Sequence, residues 1–192
     1  MKNAADLQTA CDEHRRAVGA CAAAIREVAE RDWNTAGEAK KWTPAQIAEH
    51  LAVAYDPLVA ELDGTGGFRL VVPWWKRRVL RWKFLSPILS GTFPPGVPAP
   101  REIRPAATAP TPEDGARRLT ERAEVFLDRF ARAHAHRRAQ FTHPYMGRLN
   151  GVVAVRFLTS HVRHHQKQLP APAVRTADTA ISSRHDSETQ GE

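Results

Sequence analysis

Leu7, Cys11, His14, Val18, Cys21, Ile25 and Val28 follow one another at alternating steps of four and three. Those steps draw an apolar stripe along one side of a helix, read here over residues 3–31. Such a stripe must be buried against another element, and the chain repeats it. A second helix opens at "TPAQ", with Thr43 as N-cap, Pro44 in the first helical position and Gln46 closing a capping box. Its apolar face is Ile47, Leu51, Ala54, Leu58 and Leu62, with a kink expected at Pro57 and an end at "DGTGG", residues 63–67. A third begins at Thr111–Pro112, carries Ala116, Leu119, Ala123, Phe126 and Phe130, and fades near Arg138. After the turn "FTHPYMGRLN", Asn150 is the expected N-cap of a fourth helix that runs to Leu169 and stops at Pro170.

Four amphipathic helices of this length predict an all-α four-helix bundle over residues 1–169. The connection between the second and third, residues 64–111, is far longer than the other two. A long crossover lets neighbouring helices run parallel, so an up-down-down-up order is as open as a simple meander. Within it lie one short helical candidate, "PWWKRRVLRWKFL", and a proline-rich stretch, "FPPGVPAPREIRP", that cannot be regular helix. Residues 170–192 are polar and aperiodic and read as a disordered tail.

Composition narrows the function classes. The formal charge is +7 and the pI about 10.0, which invites a nucleic-acid or membrane-surface reading. The basic residues are spread over several segments, however, so the balance makes no strong case for nucleic acid. Cys11 and Cys21 lie on one predicted helix about 15 Å apart along its axis, too far for a disulfide. Two reduced thiols fit a cytoplasmic protein. Lys2, Asp6, Asp12 and Glu13 interrupt any signal-peptide core, and no uncharged run approaches the ~20 residues of a membrane span.

The densest chemistry is in "SHVRHHQKQL", residues 160–169. His161 and His165, at i and i+4, share one helix face, on the same side as Ala154, Phe157 and Leu158. Two imidazoles so spaced can reach one metal at about 2.0–2.1 Å. Axial levels narrow the choice of a third ligand. His165 lies about 6 Å, and His161 about 12 Å, from the end of the fourth helix; His50 lies about 10 Å past the start of the second. If those helices are antiparallel, all three share a level. His14 lies about 15 Å from that level and reads as a core histidine. His164 is an alternative to His165 in a rotated register. The other reading, a plain core cluster, stays open on spacing alone. His134, His136, His143 and His185 read as surface or loop residues.

These motifs resemble the DinB/YfiT-like superfamily. "WTPAQIAEHLA", residues 42–52, is similar to its tryptophan-led helix start and histidine. "THPYMGRLNGVVAVRFLTSHVRHHQKQL", residues 142–169, resembles its closing "HPxxG" turn and "HxxHHxxQL" ending, and "FPPGVPAP" resembles the proline-rich connection of one branch. The resemblance implies an up-down-down-up bundle with His50, His161 and His165 as ligands of a divalent transition metal, zinc or nickel. It also implies a metal-dependent transferase, isomerase or hydrolase working on a small-molecule substrate, with a low-molecular-weight thiol as a further cofactor. Gln168, one turn beyond His165, is then a candidate to orient a ligand ring or to cap the helix end. Glu49 adjoins His50 but points about 100° away around the helix, and no general acid or base stands out. A homodimer is compatible with so small a bundle.

One segment points elsewhere. In residues 73–84, Trp74, Trp75 and Trp82 interleave with Lys76, Arg77, Arg78, Arg81 and Lys83. Such a pattern suits an anionic membrane surface or nucleic acid. The expectation adopted is that the tryptophans cap the open end of the bundle while the cations face water.

Overall fold

The computed structural model describes residues 2–37, 41–135 and 139–170. Its elements in chain order are α1 (Lys2–Arg26), α2 (Glu30–Trp33), α3 (Pro44–Val53), α4 (Asp56–Leu62), α5 (Trp74–Leu89), a 3-10 turn (Arg101–Ile103), α6 (Pro112–Ala135), β1 (Gln140–His143), β2 (Gly147–Asn150) and α7 (Gly151–Gln166). The fold is all-α apart from one small hairpin, and the expected tail from residue 171 lies outside the described residues, as do His136, Arg138 and His185.

α1 packs along both α6 and α7, and α3 packs chiefly on α6. The stripe read from the sequence is the buried face of α1: Leu7, Cys11, Val18, Cys21, Ile25 and Val28 meet Leu119, Phe126 and Phe130 of α6 and Leu158 and Val162 of α7 in one core. Each large aliphatic side chain buried there contributes about 1.5–3 kcal/mol. Ion pairs ring this core. Arg15 binds Glu124 at 3.1 Å and Arg26 binds Glu113 at 2.7 Å. Arg118, Arg122 and Arg129 pair in turn with Glu49, Asp56 and Asp63.

The structure corrects several expected boundaries. The first helix ends at Arg26 rather than near residue 31, and the chain turns before α2. Trp33 anchors α2: the residue is 1% exposed and its Nε1 donates to the Ala109 carbonyl at 2.9 Å. Gly115 of α6 makes room for that ring, since a Cβ there would stand 2.9 Å from Trp33 Cη2. The second helix is cut into α3 and α4 at Ala54–Tyr55, where Pro57 can neither donate to the carbonyl of residue 53 nor avoid it. α5 is longer than expected and runs through Pro87 to Leu89. The turn before the last helix is an antiparallel hairpin with His143 opposite Gly147, which sits at φ 72°, the left-handed conformation that a three-residue hairpin loop requires. Asn150 holds the N-cap position of α7 but makes no side-chain capping bond.

The hairpin is tied down on both strands. Thr142 donates its N–H and its hydroxyl to the Glu61 carboxylate, both at 2.7 Å. Arg81 of α5 donates to the Arg148 carbonyl at 2.5 Å. Phe141 and Leu149, opposite one another, are buried.

Candidate metal centre

The capping box at the start of α3 forms as read: Thr43 Oγ1 accepts from Gln46 N–H at 3.2 Å, and Gln46 Oε1 accepts from Thr43 N–H at 3.0 Å. This fixed start orients the two residues that bracket it. Trp42, just before the cap, packs on the core. His50, two turns in, is 2% exposed. On the facing helix, α7, His161 and His165 lie half-buried one turn apart.

The structure brings His50, His161 and His165 together. One nitrogen from each lies within 4.8 Å of the others. Ring centroids stand 5.1 Å apart for His50 and His161, 4.7 Å for His50 and His165, and 4.8 Å for His161 and His165. His50 Nε2 and His161 Nε2 face each other at 3.2 Å. Two nitrogens bound tetrahedrally to one ion at about 2.0–2.1 Å sit about 3.3 Å apart, so this pair already has the separation a shared metal needs.

Partners behind the rings set their tautomers. The Ile103 carbonyl accepts from His50 Nδ1 at 2.7 Å, which leaves the Nε2 lone pair aimed at His161. Gln168 Oε1 accepts from His165 Nδ1 at 2.9 Å, again freeing Nε2, and Gln168 Nε2 donates to His164 Nε2 at 3.0 Å. One side chain thus assigns opposite duties to the two neighbours: His165 keeps a free Nε2 toward the centre, whereas the Nε2 of His164 is occupied. Such backing by carbonyl oxygens is the usual support of a metal-ligating imidazole.

Burial also sets the charge state. It lowers the pKa of His50 to about 4. Burial, then the neighbouring His50, brings His165 to about 3, and burial followed by its histidine neighbours lowers His161. All three are neutral at pH 7, the form that binds metal. Facing imidazole nitrogens repel one another unless a proton or a cation lies between them, so the donor set fits a divalent ion.

Aromatic rings wall the centre. Trp42 lies 4.6 Å from His50 and stacks on His165 at 6.0 Å, with 20° between planes. Phe93 sits 4.6 Å from His164 and 6.1 Å from His161. A cleft of about 500 Å³ opens beside His164, lined by Leu89, Ser90, Ser160, Arg163 and Lys167 among others. Glu49 is directed elsewhere: it is buried and paired with Arg118 at 2.8 Å.

His14 lies apart, fully buried, with Nε2 2.9 Å from the Tyr55 hydroxyl and Nδ1 3.2 Å from Thr159 Oγ1. His134 is half-buried on the last turn of α6. His143, expected on the surface or in a loop, is the half-buried last residue of β1, next to the hairpin turn. Its ring packs 4.9 Å from Phe157, burial lowers its pKa to about 4, and Nδ1 accepts from the backbone N–H groups of Tyr145 and Met146. Trp42 and Phe93 were not singled out as site residues from the sequence. Trp42 had a signal, because an apolar residue just before an N-cap packs back on its helix. Phe93 had none beyond its place in the proline-rich connection.

A helical protein with a buried, neutral three-histidine cluster is what these elements make. The chain belongs to the DinB superfamily, whose family model matches residues 13–169. Neither the curated proteins nor the solved structures compared with it give a match.

Proposed function

We propose that this chain is a divalent-metal protein in which His50, His161 and His165 are the ligands. The observation that carries it is the approach of His50 Nε2 to His161 Nε2, at 3.2 Å, with the His50 Nδ1 proton held by Ile103. The bundle that holds them is a single domain over residues 1–169, of up-down-down-up order. Side-chain pairings support that order. Residues 15 and 26 pair with 124 and 113, in opposite directions along α1 and α6. Residues 49, 56 and 63 pair with 118, 122 and 129, advancing together. His14 meets Thr159 and Ala20 meets Gln166, also advancing together, whereas Trp42 meets His165 and His50 meets His161.

Zinc or nickel suits three imidazoles. A divalent ion held by these three imidazoles would supply Lewis acidity and would lower the pKa of a small thiol brought to it. The reaction class that follows is a metal- and thiol-dependent transfer or isomerisation of a small molecule. The protein's own part is to keep the imidazoles neutral, to hold their tautomers through Ile103 and Gln168, and to shield the centre with Trp42 and Phe93. The cleft beside His164, with Arg163 and Lys167 on its rim, is of a size for a small substrate. Among the described residues no helix is long and apolar enough to cross a membrane, and both cysteines are free and buried, which supports a cytoplasmic setting. A second reading, a metal-binding bundle without catalysis, is favoured by Glu49: the carboxylate next to a ligand in the chain is committed to Arg118.

Elemental mass spectrometry of protein reconstituted with zinc or nickel tests the centre. About one equivalent is expected in the wild type and in His164→Ala, and almost none in His50→Ala, His161→Ala or His165→Ala. A wild type that takes up no metal overturns it. Cobalt-substituted protein tests the thiol: a charge-transfer band on adding a small thiol is expected, and its absence leaves the non-catalytic reading.

A further inference from the structure

α5 is held to the body by one face. Ile88 is buried and Phe84, Leu85 and Leu89 pack against the core, while Arg77 and Arg81 donate to the carbonyls of Val72 and Arg148. Its other face contradicts the expectation that the tryptophans close the end of the bundle. Trp74 is 66% exposed, Trp75 52%, Val79 53% and Trp82 85%. At 100° per residue, Trp75, Val79 and Trp82 fall within about 60° of one another and form one outward stripe. Lys76 and Lys83 border it on one side and Arg78 on the other, all three exposed. Just before α5, Leu70 and Val71 are 48% and 56% exposed.

We propose that this face docks on an anionic lipid surface, with Trp75 and Trp82 at the headgroup level and the flanking cations on the phosphates. The charge complementarity is specific to that partner. α5 holds Lys76, Arg77, Arg78, Arg81 and Lys83 and no Asp or Glu, and none of the five forms an ion pair among the described residues. Tryptophan prefers the interface between hydrocarbon and water, and exposed cations beside it add attraction to anionic lipid. A second copy fits worse, because a two-fold contact through α5 sets five cations against five. Nucleic acid fits worse too: Leu70, Val71 and Val79 present aliphatic surface, which gives bases no aromatic platform but suits hydrocarbon.

The test is cosedimentation of the full-length protein with phosphatidylcholine vesicles that contain or lack phosphatidylserine, at low salt and near 1 M, where the screening length is about 3 Å. The wild type is expected to bind the anionic vesicles at low salt only. Each exposed cation is worth about fivefold in affinity, so Lys76→Ala/Arg78→Ala/Lys83→Ala should bind roughly a hundredfold more weakly. Trp75→Ala/Trp82→Ala should also lose binding, and brominated lipid should quench the wild-type emission. Circular dichroism should show every variant folded, since each altered side chain is exposed. Three results overturn the proposal: no binding to phosphatidylserine vesicles at low salt; equal or tighter binding to a single-stranded oligonucleotide; or a lipid-free dimer that Trp82→Ala dissociates.

Discussion

Tryptophan stands beside nitrogen-bearing side chains in two regions of this molecule, with opposite consequences. At the start of α3, Trp42 lies half-buried against His50 and His165, and burial holds those imidazoles neutral. On α5, Trp82 is 85% exposed amid lysines and arginines. The same pairing of ring and nitrogen offers lone pairs to a cation in one place and positive charge to an anion in the other. Residue type and burial decide it together: an imidazole has a lone pair to offer near neutral pH, and burial keeps it available as the pH falls.

pH separates the two regions most sharply. His14 has a folded pKa of about 4 against about 6.5 when unfolded. A depressed histidine pKa means the unfolded chain binds the extra proton between these values. Stability is therefore complete above pH 6.5 and declines as pH falls toward 4, by about 3 kcal/mol for this one group. His50, His143 and His165 are shifted in the same direction and steepen the fall. Urea midpoints of metal-free protein between pH 7 and 4 should show it, and His14→Gln should flatten part of the slope. α5 holds no His, Asp or Glu, so its vesicle binding should stay level down to the pH at which the fold itself begins to fail. Equal pH dependence in both assays would break the comparison.

Removing each tryptophan gives the next contrast. Trp42→Ala takes a half-buried ring from the core and from two imidazoles. We expect a loss of about 2 kcal/mol in denaturant unfolding, below the roughly 3–5 of a fully buried aromatic, together with weaker metal binding. Gln168→Leu sharpens the point at a smaller scale. It frees His165 Nδ1 to turn, so metal affinity should drop about 10–100-fold by competition with a chelator, while the exposed position leaves the unfolding curve in place.

How far the sequence could be read follows the same division. Local signals sufficed where the cause was local: the stripe of α1, the Thr43–Gln46 capping box, and the one-turn spacing of His161 and His165. The short α2 was missed because Trp33 turns inward for a carbonyl 76 residues away. The hairpin was missed because strands of four residues are too short to show alternation. His143 passed for a loop residue because what buries it is Phe157, on a different element. Ile103 contributes a backbone oxygen to the centre, and no side-chain pattern announces that. The tryptophans of α5 are expected to cap the bundle because a long crossover must bury something to stay ordered. Ile88, Phe84 and Leu89 do that anchoring instead.

The smallest expected effect is the most telling for α5. Trp82→Ala deletes the largest side-chain type, yet with 85% of the residue already in water little transfer free energy is at stake. Unfolding should shift by no more than about 0.5 kcal/mol, the range of ordinary surface substitutions. A loss of 2 kcal/mol, matching Trp42→Ala, would mean that the ring packs against something in solution, and the two regions would no longer differ in kind. A null effect on stability alongside weakened vesicle binding would place the residue's value outside the folded chain, in what its surface meets.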